Sequence, residues 1–255
     1  MRTGKKSILI LACIFCFSFV ISQLSDTQKM LRVKLWVPMD ENPATQIAPK
    51  EGEAWYMPGI RALQETAPFF LTGMIYGWEF EYTPSDVTRN VEEYFSLTPI
   101  FEINKEDYNI NFSDPAFLDA RIYCWLEYPR TDAMMYYRLR WDGIQFPKVK
   151  GFGESGKINS VDAIKESVVE AAKNAIRTYA QSQTKNKPKE VVGKILLVDE
   201  DPSIKIISGK YTASLDFFLY VDKIIHYSQY WATLFFRRSK WIILKNLYLQ
   251  FYFVH

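Results

Sequence analysis

The sequence predicts an α+β fold of antiparallel β-meander sheets, each with a packed helix, and three stretches carry that reading. Residues 118–127 alternate Leu118, Ala120, Ile122, Cys124 and Leu126 with Asp119, Arg121, Tyr123, Trp125 and Glu127, the period of a half-buried strand. Val161, Ile164, Val168, Ala172, Ala175 and Tyr179 return every three or four residues, the period of a helix with one apolar face. Lys173 then falls on the opposite, solvent face. Strand-like segments follow at 191–198, 203–208, 211–221, 230–236 and 241–253, a meander whose apolar side such a helix would cover.

The other elements follow in chain order. Leu31 to Val37 alternates apolar and basic residues and reads as a strand stopped by Pro38. Four prolines at 38, 43, 49 and 58 mark residues 38–58 as a long loop, and Ile60–Thr66 reads as a short helix ended by Pro68. Residues 69–82 read as strand, with Tyr76, Trp78, Phe80 and Tyr82 on one face and Gly77, Glu79 and Glu81 on the other. Thr83-Pro84-Ser85-Asp86 has the grammar of a helix start, which predicts a helix over 84–95. Strands are expected at 97–103 and 108–112, and Pro129–Asp132 should turn the strand of residues 118–127 back into Met134–Trp141. The glycine-rich run PKVKGFGESGK at 147–157 reads as a break between two units. Over residues 160–253 the order of elements resembles cystatin-like or NTF2-like domains, in which a helix packs into a curved antiparallel sheet. No motif accompanies the resemblance.

The start of the chain carries a different signal. Arg2, Lys5 and Lys6 precede a 14-residue apolar run, Ile8 to Ile21, which is too short for the roughly 20 residues of a spanning helix. With Val20 and Ser22 at −3 and −1, residues 1–22 read as a signal peptide cleaved before Gln23. Ile10-Leu11-Ala12-Cys13 also fits a lipobox, which would lipidate Cys13, and an uncleaved anchor is the third reading. The expected organisation is thus a signal peptide at 1–22, a β-rich unit with a short helix at 23–150, a linker at 151–158, and a helix-plus-meander unit at 159–255.

Composition narrows the function classes. With 48% hydrophobic and 24% charged residues the chain is neither disordered nor collagen-like. Cleavage would remove three cations and no acid, taking the net charge from +2 to −1, which gives no electrostatic drive toward nucleic acid. It would also leave Cys124 as the one cysteine, without a partner for a disulfide within the chain. Charge is uneven: residues 40–132 hold 17 acidic and 6 basic residues, and 203–255 hold 2 acidic and 7 basic. Either the two regions face each other, or both are solvated, or one serves for docking, and the last option is compatible with a subunit of an envelope assembly.

Motifs for chemistry are sparse. Gly151-Phe152-Gly153-Glu154-Ser155-Gly156-Lys157 has phosphate-loop spacing and Asp199-Glu200 end an apolar run, but Ile158 stands where the metal-binding hydroxyl belongs and Pro147 interrupts the preceding segment. His226 and His255 are the only histidines, no G-x-S-x-G elbow accompanies them, and one mature cysteine with two histidines makes no zinc site. No metal or other cofactor is implied. Cys124 reads as a small buried hydrophobe.

Glu79 and Glu81 share a strand face roughly 6.5–7 Å apart, close enough for one carboxyl to be raised for acid/base work on a glycosidic bond. Tyr123 and Trp125, beside Arg121 on the polar face of their strand, offer flat area for a sugar or peptide. The expectation is an exported protein, periplasmic, cell-surface or secreted, with a binding or structural role toward an envelope protein or glycan, and with no membrane span after cleavage. The alternative is a secreted glycosidase-like hydrolase using Glu79 or Glu81.

Overall fold

The computed structural model describes residues 29–39, 51–156, 162–198 and 202–227. Among them the fold is α+β, with three helices and two antiparallel sheets, the larger curled into a half-barrel. The segment expected to be a signal peptide, Asn159 to Val161, Asp199-Glu200 and the strands expected at 230–236 and 241–253 lie outside the described residues.

The smaller sheet has three strands in the order β1 (Met30–Pro38), β5 (Arg121–Pro129), β4 (Asn111–Leu118). Its inner face, Leu31, Val33, Leu35, Val37, Ile122, Cys124, Leu126 and Tyr128, is buried. Helix α1 (Met57–Ile75) packs on that face and also meets the larger sheet and the long helix behind it. Having neighbours on several sides, α1 is apolar around most of its circumference, with Leu63, Ala67, Phe70, Leu71, Met74 and Ile75 all buried.

The larger sheet runs β3 (Tyr94–Pro99), β2 (Trp78–Thr83), β7 (Glu190–Leu197), β9 (Lys210–Ile225), β6 (Lys148–Glu154), with β8 (Ser203–Ile207) on β9. β9 is 16 residues long and pairs with β8, β6 and β7 along its length. Helix α3 (Asp162–Gln183) lies in the hollow of this sheet. Ile164, Val168, Ala172 and Ala175 of the expected stripe are buried, and Tyr179 packs at the margin of the core. Buried residues of both sheets, α1 and α3 form one continuous cluster.

Four expectations are corrected. The glycine-rich linker is largely strand: residues 148–154 are β6, paired with β9 from Lys148↔Phe218 to Glu154↔Thr212. Its glycines serve close packing. A Cβ on Gly151 would stand 2.1 Å from the Ala171 carbonyl oxygen, and one on Gly153 would stand 2.2 Å from the Ala171 nitrogen and the Ser167 carbonyl oxygen. The backbone of α3 therefore crosses that of β6 at a distance only glycine permits.

The helix expected over 84–95 is instead a reversal. Asp86 accepts from the Thr88 amide at 3.0 Å, a single 3₁₀ turn spans Val87–Arg89, and Asn90 takes φ 55° to bring Val91 back opposite Asp86. An aspartate that caps its own turn and a left-handed asparagine stop a helix before it propagates. Residues 69–75, expected as strand, belong to α1, which starts with Pro58 in its first turn and runs through Pro68. Burial on most sides erased the amphipathic period and left a run that imitates a buried strand.

Finally, Met134–Trp141 is helix α2 (Asp132–Leu139) continued by a 3₁₀ turn at Arg140–Asp142. Thr131 caps it by accepting from the Met134 amide at 3.3 Å, and Asp132 sits in its first turn.

Candidate functional site

The pleat of the three-stranded sheet sets its outer face. Because Leu31, Val33, Leu35 and Val37 point inward, Arg32, Lys34 and Trp36 of β1 point outward, as do Arg121, Tyr123, Trp125 and Glu127 of β5. The register pairs Arg32 with Glu127, Lys34 with Trp125 and Trp36 with Tyr123. Side chains meet along the diagonal, one step further down β5. Arg32 lies over the Trp125 ring at 4.4 Å, Lys34 over Tyr123 at 5.3 Å, and Arg121 over Trp36 at 4.3 Å.

All three contacts carry the same offset, as strand twist requires when it brings diagonal neighbours together. The result is a ladder of alternating rings and cations. Each rung contributes about 0.5–1 kcal/mol at such exposed sites.

The ladder is anchored at both ends. At one end Arg32 reaches Asp114 (2.8 Å) and Glu127 (3.1 Å), and Ser113 donates to Glu127 at 2.8 Å. Asp114 can face Arg32 because β4 is irregular between Ser113 and Ala116, with Asp114 at φ 51°. At the other end Trp36 touches Tyr123 (centroids 6.3 Å) and Tyr211 of the larger sheet (5.9 Å). Arg32 and Lys34 are exposed, whereas Trp36, Arg121, Tyr123 and Trp125 are half-buried, partly beneath one another. Such a face presents flat apolar area and positive charge together.

Beneath the ladder, Tyr128 donates to Asp107 at 2.9 Å. The Asn109 amide hydrogen-bonds to Asp107 and, with Tyr128, holds its carboxyl below the usual range. Cys124 is buried on the inner face, as the small hydrophobe the sequence predicts, and burial pushes its thiol up.

Of the residues singled out from sequence, the structure brings Arg121, Tyr123 and Trp125 together. Glu79 and Glu81 lie in the other sheet, on the exposed face of β2, with Glu79 ion-paired to Lys194 at 3.2 Å. Sequence reasoning missed Arg32, Lys34 and Trp36, although their alternation with the apolar residues of β1 was visible. What was hidden was the pairing partner, since β1 and β5 lie some ninety residues apart in the chain. A cluster of Trp55, Tyr56 and Phe117 was also missed; its ring centroids are 4.9–6.0 Å apart, with Trp55 62% exposed.

Comparison with known proteins places this chain. A family model matches residues 17–227, which include every described residue. The chain belongs to an uncharacterized protein family. A Treponema pallidum (strain Nichols) protein, itself described only as uncharacterized, is 26% identical over 234 residues, or 89% of this chain and 97% of the relative. No solved structure matches. Among the described residues no helix is long and apolar enough to cross a membrane.

Proposed function

We propose that this member of the family is an exported, non-catalytic envelope protein that binds an acidic glycan on the outer face of the three-stranded sheet. The diagonal ladder carries this reading. Trp36, Tyr123 and Trp125 offer surfaces on which sugar C–H faces stack, and Arg32, Lys34 and Arg121 supply the charge that a uronate or sulfate group needs. Export rests on the basic start, the short apolar run and the Val-x-Ser site of residues 1–22.

Glu79 and Glu81 favour binding over hydrolysis, because both are exposed and Glu79 is engaged by Lys194.

The test is a glycan array probed with protein 23–255, followed by calorimetry on the best acidic oligosaccharide. Tyr123→Ala and Trp125→Ala should each weaken binding about tenfold or more while the melting temperature moves by no more than a few degrees, as expected for truncated aromatic anchors. No binding on the array, or binding indifferent to both variants, overturns the proposal. Turnover of a glycoside lost in Glu79→Gln or Glu81→Gln would replace it with the hydrolase. Exported protein whose first residue is Gln23 supports the localisation, and retention of Met1 to Ser22 contradicts it.

A further inference from the structure

We propose a second, independent site: the cleft between the end of β2 and the C-terminal end of α3 binds a compact dianion, a small phosphate ester. The cleft encloses about 210 Å³ and is lined by Arg177, Lys185 and Lys187 together with Ser85, Gln181 and Thr184. No carboxylate is among the described residues that line it. A wider cleft of about 470 Å³ adjoins it through Asn186 and Lys187, and the one acid among the described residues that line it, Asp86, is engaged by Thr88 (2.6 Å) and by Arg89.

The surrounding charges define the ligand. Behind the cleft Glu93 accepts from Tyr82 at 3.0 Å through Oε1 and from Lys173 at 3.2 Å through Oε2, and the same Oε1 stands 4.0 Å from Arg177. Lys173 also holds Glu170 at 2.9 Å. Burial disfavours the Glu93 carboxylate, but the hydrogen bonds from Lys173 and Tyr82 outweigh it and hold the pKa below the usual range.

Those four charged groups, Glu93, Glu170, Lys173 and Arg177, sum to zero. Lys185 and Lys187 add two positive charges in front of them, and among the described residues Lys187 donates only to the Ser85 carbonyl, at 2.9 Å. The C-terminus of α3 offsets about half a charge at most, and Thr184 already satisfies the Ala180 carbonyl there at 2.8 Å. At least about one and a half charges thus remain for a ligand to neutralise. A phosphate monoester dianion does so with one compact group, meeting the Arg177 fork and two lysine point charges, while the neighbouring hydroxyls and amides suit its polar remainder. A carboxylate would neutralise half as much.

Titration calorimetry with inorganic phosphate and with glycerol 3-phosphate tests this directly. Both should bind, the ester with Kd below about 1 mM, and affinity should fall as sodium chloride is raised from about 20 to about 200 mM, as screening requires. Arg177→Gln and the double variant Lys185→Gln/Lys187→Gln should each weaken the ester at least about tenfold, since each removes a charge-assisted contact. Lys205→Gln, an exposed lysine on β8, should leave it unchanged, and melting curves should confirm that all variants fold. Absence of heat up to 10 mM ester, about ten times the expected ceiling, overturns the site. Equal weakening by Lys205→Gln reduces it to nonspecific charge and also overturns it. Co-sedimentation with phosphatidic acid vesicles without a response to the soluble ester would assign the cleft to a lipid headgroup and refute the small-molecule form. None of these outcomes bears on the glycan face, whose variants lie in the three-stranded sheet.

Discussion

The crossing of α3 over β6 and the outer face of the three-stranded sheet are both strand faces with alternating residues, yet they are built in opposite ways. At the crossing the strand presents Gly151 and Gly153 to Ser167, Ala171 and Ala175, so that backbone meets backbone and nothing remains accessible. On the ladder the strands present the largest rings and longest cations, which touch through their tips and stay half open to solvent. Small residues there make a closed joint, and large amphipathic ones make a surface with area to offer. The first should be intolerant of added atoms and the second tolerant of removed ones.

The most severe test of that contrast is Gly153→Val. Its side chain has no space against the backbone of α3, so the helix must lift, and a loss of more than about 4 kcal/mol is expected, enough to leave the protein unfolded at 25 °C. A far-UV circular dichroism melt resembling the parent's would show that the crossing yields easily. Val168→Asp comes next, at about 3–4 kcal/mol, because Val168 is fully buried and the new carboxylate has no partner there.

Lys173→Asp is expected to cost about 2 kcal/mol in urea unfolding, since it sets a third carboxylate beside Glu93 and Glu170 in a half-exposed setting. Lys173→Arg should restore most of the loss. At the mild end, Trp125→Ala should change stability by about 1 kcal/mol. A loss as large as that of Val168→Asp would make the ladder a structural element rather than a surface held in reserve.

Acid sharpens the same picture. Asp86, accepting from Thr88 and Arg89, is held down to about 2, and Glu93 is also held below its usual value. Both carboxyls are depressed in the folded state, so their contribution is complete above the ordinary carboxylate range, about pH 4–4.5. It is lost as pH falls through the folded values. Urea midpoints at pH 6, 4 and 3 should therefore decline, and the decline should be shallower in Glu93→Gln.

Where one face meets the core and the other meets water, the sequence was readable. β5 and α3 stand within a few residues of the spans their periods predict, because each buries one side only. α1 was readable only at its start, since Phe69 to Ile75 is enclosed and carries no contrast. Lys173 was misplaced for a related reason. Helical phase puts it opposite the sheet, but the segment leading into β3 supplies Glu93 from outside the helix. β6 was mistaken for a linker because glycines that admit a close helix and glycines that admit motion are spelled alike. Of the ladder, the β5 half was evident from alternation, and the β1 half needed a register that no local pattern contains.

The course of β9 has a kinetic consequence. It joins β8, β6 and β7, and β7 in turn holds β2, so Trp78 finds Ile195 and Ile195 finds Leu219 before the larger sheet is complete. Pairings so distant in the chain close long loops and form slowly. Residues 78–99 have no lasting place in that sheet until the chain past residue 210 is available, so a nascent chain short of that point leaves the sheet open. A sheet whose central strand comes last among the described elements thus carries a built-in delay in its own assembly.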